Sequence, residues 1–128
     1  MNFMDFTGKT AIITGAGSKR GIGNATARQL AEYGCAVALA DIDDHGAAEN
    51  AAAIQRDFGV NARAVKVDLS DEDSIKEMIR TVKELFGRID ILVNNAGISI
   101  KHTYDEISLD EWNKVVSVNL TSMFISCK

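Results

Sequence analysis

The sequence predicts an α/β fold, a parallel sheet whose strands alternate with helices in the order βαβαβαβα. Three observations carry this. Four short apolar runs, Thr10–Thr14, Cys35–Ala40, Ala62–Val67 and Ile89–Val93, are bounded by glycine or polar residues, as buried strands are. Between and after them, apolar residues recur at the spacing of a helix face. The connections are short, which implies right-handed crossovers and a sheet covered by helices on both faces.

Each element has its own signal. Thr10–Thr14 (TAIIT) is β-branched and apolar and stops at Gly15. After a glycine-rich loop, Ile22, Ala25, Thr26, Gln29 and Leu30 follow a helical period that Gly34 ends. Cys35–Ala40 (CAVALA) is apolar throughout and gives way to Asp41. His45–Phe58 is alanine-rich, a composition that favours helix, and closes at Gly59. Ala62–Val67 forms a third strand ended by Asp68. Ser70-Asp71-Glu72-Asp73 resembles a capping-box start, after which Ile75, Met78, Ile79, Val82, Leu85 and Phe86 share one helical face up to Gly87. Ile89–Val93 leads into Asn94-Asn95-Ala96-Gly97. Ser108-Leu109-Asp110-Glu111 is a second capping box, and the stripe behind it runs through Trp112, Val115, Val116, Leu120, Met123, Phe124 and Cys127, with Asn119 on the same face.

Composition narrows the function. A chain of 128 residues suffices for one layered core, so a single domain over 1–128 is expected. The net charge of −4 and the pI near 5.1 argue against nucleic acid as partner, because that needs a basic face. No basic segment followed by an apolar one opens the chain, and no apolar run is long enough to cross a bilayer. Cys35 and Cys127 are the only cysteines and no histidines cluster, so neither a disulfide framework nor a metal site is indicated, and a reduced cytoplasmic setting is expected.

The stretch TGAGSKRGIG, between the first strand and the first helix, has the make-up of a phosphate loop. Glycines let backbone N–H groups approach an anion, and the helix N-terminus behind them adds partial positive charge. Yet a strict G-x-G-x-x-G read from Gly15 fails at Arg20, and no Gly-Lys-Ser/Thr follows. By itself the loop fits a structural turn as well as a phosphate cradle. Asp41, 20 positions beyond Gly21 at the end of the second strand, tips the balance, since an acidic residue there is what the ribose of a dinucleotide requires.

Thr14-Gly15 with Gly21-Ile22-Gly23, Asp41, Asp68-Leu69, Asn94-Asn95-Ala96-Gly97 and Asn119, in that order, resemble the N-terminal half of a short-chain dehydrogenase/reductase. The resemblance implies a Rossmann-type doubly wound parallel sheet, truncated after about four strands. It implies a hydride-transferring enzyme that uses NAD on an alcohol or carbonyl substrate. Gly15, Gly17, Arg20, Gly21 and Gly23 would form the phosphate loop with Ile22 under the pyrophosphate. Asp41 would hold the adenosine ribose and Ile42 border the adenine. Asp68 and Leu69 would line the adenine pocket, while Asn95, Ala96 and Gly97 would follow the nicotinamide ribose. Asn94 would tie neighbouring strands. The family usually has three residues between Thr-Gly and Gly-x-Gly, whereas this chain has five, Ala16 to Arg20, so the loop should bulge outward without moving the helix start. Arg20 resembles a residue that favours NADP, but a carboxylate at Asp41 would repel its 2′-phosphate, so NAD is expected over NADP.

Asn119 would be a member of the family's catalytic tetrad, breaking its helix locally and holding a water. The tetrad's serine and Tyr-x-x-x-Lys are not found, since Tyr33 is followed four residues on by Val37 and Tyr104 by Ser108. The chain is therefore expected to be a fragment that binds cofactor but does not itself reduce a carbonyl. Its bare fourth strand and the apolar face from Trp112 to Cys127 should then associate with another copy or with the rest of the protein. Two other readings stand beside this one. One is a nucleotide-binding or regulatory module without chemistry. The weaker one is a flavodoxin-like mononucleotide binder, which leaves Asp41 and the Asn-Ala-Gly turn without a role. Lys101, His102 and Tyr104 read as an exposed loop.

Overall fold

The computed structural model describes residues 4–128; residues 1–3, part of the N-terminal stretch read above, lie outside them. Strands β1 (Thr10–Thr14), β2 (Ala36–Asp41), β3 (Ala62–Lys66) and β4 (Ile91–Val93) form one parallel sheet in the order β3-β2-β1-β4. Helices α1 (Ile22–Glu32), α2 (Asp44–Phe58) and α3 (Glu72–Phe86) make the crossovers. The helix α4 (Leu109–Val116) passes through a π-helical turn, Ser117–Thr121, into α5 (Ser122–Cys127).

Alternation along the strands sorts the core into two layers, because successive side chains of a strand point to opposite faces. On one face Ala11, Ile13, Val37 and Leu39 meet Ala27 and Ala31 of α1 and Ala47, Ala51 and Ile54 of α2. On the other, Ile12, Ala38, Ala40 and Val65 meet Ile75, Met78 and Val82 of α3. All five residues of β1 are buried, which explains why its sequence has no polar alternation. Alanines on α1 and α2 bring these helices close to the sheet, and the left-handed residues Gly59 (φ +70°) and Gly87 (φ +82°) end α2 and α3 where a Cβ would be strained.

Four strand boundaries differ from the sequence reading. Strand β2 begins at Ala36 and includes Asp41, one residue later at each end, and β3 stops at Lys66 instead of Val67. Strand β4 begins at Ile91 instead of Ile89. The reason lies in Asp90, whose carboxylate accepts the Thr10 N–H at 2.9 Å and stands in for the carbonyl that a longer strand would offer. The last helix is not continuous, as the resemblance implied for Asn119. Its π-helical turn holds that residue. Strand β4 lies at the sheet edge, and Leu109, Trp112, Leu120 and Phe124 on the last helix are exposed. Among the described residues, no helix is long and apolar enough to cross a membrane.

Candidate functional site: a cleft at the carboxyl ends of the strands

A cleft of about 550 Å³ opens where the carboxyl ends of the four strands meet the first turn of α1. This is where a ligand is expected in an open α/β sheet, since β1 lies at the point where the strand order reverses. Gly15, Gly21 and Ile22 line it on the loop side, Asp41 and Ile42 at the end of β2, Asp68 and Leu69 at the end of β3, and Asn95, Ala96 and Gly97 after β4. Val67, Ser70, Ile98, Lys114 and Val118 complete the wall.

The glycines are dictated by close approach. Gly15 has φ +70°, and a Cβ there would lie 2.8 Å from Ala96 Cα. A Cβ on Gly23 would lie 2.5 Å from the Gly15 carbonyl oxygen, so the first turn of α1 can rest on the end of β1 only if that position is bare. Thr14 and Asn95 knit the same junction. Thr14 Oγ1 accepts the N–H groups of Asn95 and Ala96, both at 3.1 Å, and Asn95 Nδ2 donates to the carbonyls of Thr14 and Gly15 at 3.0 and 3.2 Å. Asn95 thereby ties the ends of β1 and β4 together. The Asn94 amide instead points to Cys127 Sγ at 3.7 Å.

The lengthened loop is fastened from inside. Gly15 and Ala16 donate their N–H groups to the Ala40 carbonyl, and the Ala16 carbonyl accepts the buried Asn50 Nδ2 at 2.8 Å. Gly17 N–H goes to Asp41 Oδ2 at 2.8 Å, Gly21 N–H closes a turn on the Ser18 carbonyl, and the Lys19 carbonyl accepts Asn24 Nδ2 at 3.0 Å. The outward bulge is confined to the exposed residues Ser18, Lys19 and Arg20, and α1 still begins at Ile22. Gly17, Arg20 and Gly23 thus shape the loop but do not line the cleft. Gly17 has its N–H committed to Asp41, Gly23 is buried under the loop, and Arg20 stands on the outer turn.

What remains open is the end of α1. Gly21 caps it without a side-chain bond, and the first turn carries no acidic residue. The leading N–H groups of a helix have no carbonyl within it to bond, so this end presents donors and a partial positive charge at the cleft. Ile22, 77% exposed, sits over it.

The two carboxylates of the cleft are each braced. Asp41 Oδ1 accepts the Asp43 N–H at 2.9 Å while Oδ2 holds Gly17. Asp68 Oδ1 accepts the Ser70 hydroxyl at 2.6 Å and the Ser70 N–H at 3.0 Å, and these two bonds hold its carboxyl below the usual carboxylate range, with Lys114 adding to the effect. Asn119 lies behind the Asn-Ala-Gly segment rather than in the cleft wall. Its Oδ1 accepts the Ile98 N–H and its Nδ2 donates to the Ile98 carbonyl, both at 2.8 Å, so the amide on the apolar stripe is satisfied. Lys101, His102 and Tyr104 are exposed, Tyr104 at 93%.

Several contributors were not singled out from the sequence. Lys114 and Val118 share a helix face by their spacing of four, and Asn50 is the one polar residue on the buried face of an alanine-rich helix; both signals were there to be read. Ser70 and Ile98 had none beyond adjacency.

Comparison with known proteins agrees with this geometry. The sequence profile of short chain dehydrogenases matches residues 9–128. An uncharacterized oxidoreductase of Thermotoga maritima is 41% identical over 118 residues, which are 92% of this chain and 45% of that protein. The crystal structure of L-sorbose reductase from Gluconobacter frateurii, complexed with NADPH and L-sorbose, superposes with a TM-score of 0.90 at 31% identity, covering 97% of this chain and 46% of that one. The 3-ketoacyl-(acyl-carrier-protein) reductase from Brucella melitensis, complexed with NADH, gives 0.86 at 35% identity, covering 96% and 48%. Spanning about half the length of the relatives it matches, the chain belongs to the short-chain dehydrogenase family, with the Rossmann-like sheet of those structures.

Proposed function

We propose that this chain is the cofactor-binding half of an NAD-dependent oxidoreductase that moves hydride between the nicotinamide ring and an alcohol or carbonyl compound. The observation that carries it is the uncapped, acid-free end of α1, set over bare glycines and opening into a cleft that Asp41 also lines. Those donors fit a diphosphate, and the residues present fit the remainder of a dinucleotide. Asp41 would take the adenosine ribose hydroxyls, with Ile42 along the adenine. Asp68 and Leu69 would meet the adenine edge. Asn95, Ala96 and Gly97 would follow the nicotinamide ribose, and Asn119 would keep that segment in place through Ile98. The cofactor supplies the hydride chemistry. Neither Tyr33 nor Tyr104 stands four residues before a lysine or lines the cleft, so proton transfer is assigned to residues outside this chain.

The choice of NAD over NADP rests on position. Asp41 lines the cleft with its carboxylate fixed by two backbone N–H groups, whereas Arg20 stands on the outer turn. A 2′-phosphate there would bring like charges together. Calorimetric titration tests this, and NAD should bind at least about tenfold tighter than NADP, ~1.4 kcal/mol. Equal affinities would remove the assignment to NAD, and no binding of either at millimolar concentration would remove the cofactor reading itself.

The exposed Leu109, Trp112, Leu120 and Phe124, together with the edge strand β4, support self-association of this protein. Light scattering that finds only monomer at high concentration would count against it. The free thiols of Cys35 and Cys127 support a reducing compartment, and we place the protein in the cytoplasm. Fractionation of cells carrying a tagged chain tests that placement, and recovery outside the cytoplasm would reject it.

A further inference from the structure

We infer that Asp41 does more than meet a ribose: its carboxylate holds the phosphate loop in shape, so ribose and diphosphate recognition share one side chain. The inference rests on the cofactor reading above and adds to it a positioning role. Three side chains fasten the lengthened loop at successive points. Asn50 binds the Ala16 carbonyl, Asp41 the Gly17 N–H, and Asn24 the Lys19 carbonyl. The two asparagines are buried in helices and reach the loop through carbonyls. Asp41 is the one charged member, the one that holds a backbone N–H, and the one that also lines the cleft.

The contact is built into the sequence on both sides. A Cβ on Gly17 would lie 2.8 Å from Asp41 Cγ and 2.9 Å from Oδ2, so glycine is what lets the carboxylate reach the backbone. The Gly17 carbonyl in turn lies where a Cβ on Gly46 would be, and Gly46 is the residue whose N–H the N-cap Asp43 accepts. Asp43 is itself bonded to Asp41 Oδ1. The end of β2, the start of α2 and the loop are therefore locked around one carboxylate. A loop of five residues left free must be ordered when ligand arrives, which weakens binding, and a tether of charged hydrogen-bonding strength removes that cost beforehand.

Separating the two roles requires a ligand without the ribose hydroxyls. With 2′,3′-dideoxy-ADP as probe, the full chain carrying Asp41→Ala should bind roughly tenfold more weakly than wild type, although the probe offers Asp41 nothing to bind. Asp41→Asn keeps an oxygen that can accept the Gly17 N–H and should recover part of the loss. Gly17→Ala, which displaces the carboxylate from the other side, should reproduce it. Equal affinity of wild type and Asp41→Ala for the probe overturns the inference while leaving NAD binding to test the cofactor reading by itself. Amide exchange supplies a readout that needs no ligand. Gly17 N–H should exchange slowly in wild type and markedly faster in Asp41→Ala, and an unchanged rate overturns the tether even if that variant binds nothing.

Discussion

Helices α2, α3 and α4 close their own N-termini, and α1 does not. Asp43 accepts the Gly46 N–H for α2, Asp71 the Asp73 N–H for α3, and Ser108 and Glu111 form a reciprocal capping box for α4; each of the three also carries an acidic residue in its first turn. Such caps are worth about 1 kcal/mol each, so a helix that lacks one gives up stability. At α1 the cap residue is Gly21 and the first turn is Ile-Gly-Asn. An anion therefore belongs at α1: three ends are satisfied by side chains of the chain, and the fourth faces the cleft with its donors open.

The largest effect is expected from denying α1 its seat. Gly23→Val places a side chain 2.5 Å from the Gly15 carbonyl oxygen and 2.8 Å from Asn95 Nδ2, and the first of these neighbours is backbone that cannot swing away. We expect a loss of about 2–3 kcal/mol in thermal or denaturant unfolding and the disappearance of NAD binding. Wild-type affinity in a folded Gly23→Val protein would mean that the cofactor does not use this end.

A smaller effect is expected from Ile22→Asp, which gives α1 the first-turn acid that the other three carry. Ile22 is 77% exposed, so little packing is lost, and a carboxylate in the first turn interacts favourably with the helix end by about 0.3–1 kcal/mol. The same charge would repel a diphosphate. The expected signature is opposed signs: unchanged or raised melting temperature together with affinity for ADP reduced about tenfold. Unchanged ADP affinity would place the diphosphate elsewhere.

Much of this was legible in the sequence, for identifiable reasons. The elements were readable because β1, with every residue buried, shows as an unbroken apolar run, and because α3 carries a stripe of apolar residues at helical spacing. Asp41, Asp68 and the Asn-Ala-Gly turn were readable because each sits where an apolar run stops. The loop was less so. Its glycines announced close approach without saying to what, and Gly17 proves to serve Asp41. That Asn95 rather than Asn94 fastens the end of β1 could not be read, since neighbouring identical residues differ only in the direction their backbone gives them. The start of β4 was misplaced for a related reason. A side chain can replace a main-chain acceptor, and no propensity reports that.

The opposite end of β1 gives the smallest and most conditional effect. There the Thr10 N–H is met by the Asp90 carboxylate at 2.9 Å, and Arg88 grips the same carboxylate through Nε at 2.8 Å and Nη2 at 2.6 Å. The Arg88 guanidinium first, and the Thr10 N–H after it, bring the Asp90 carboxyl down to about 2 from the ordinary 3.8. A carboxyl with a lower pKa in the folded chain than in the unfolded one adds stability where it is ionised in both states, and that contribution fades as protons are taken up by the unfolded chain first. The advantage of wild type over Asp90→Asn should therefore be full at pH 5, shrink as pH falls from 3.8 towards 2, and be absent below that. Comparing the two melting curves at each pH cancels the other carboxylates that titrate in the same range. Because the pair is solvent-accessible, molar salt should narrow the gap as well. NAD affinity should not change in Asp90→Asn at neutral pH, since the protein supplies the negative charge at this end of the strand and the ligand supplies it at the other. A gap that stays constant down to pH 2 would mean that the Asp90 carboxylate does not hold the foot of β1 by its charge.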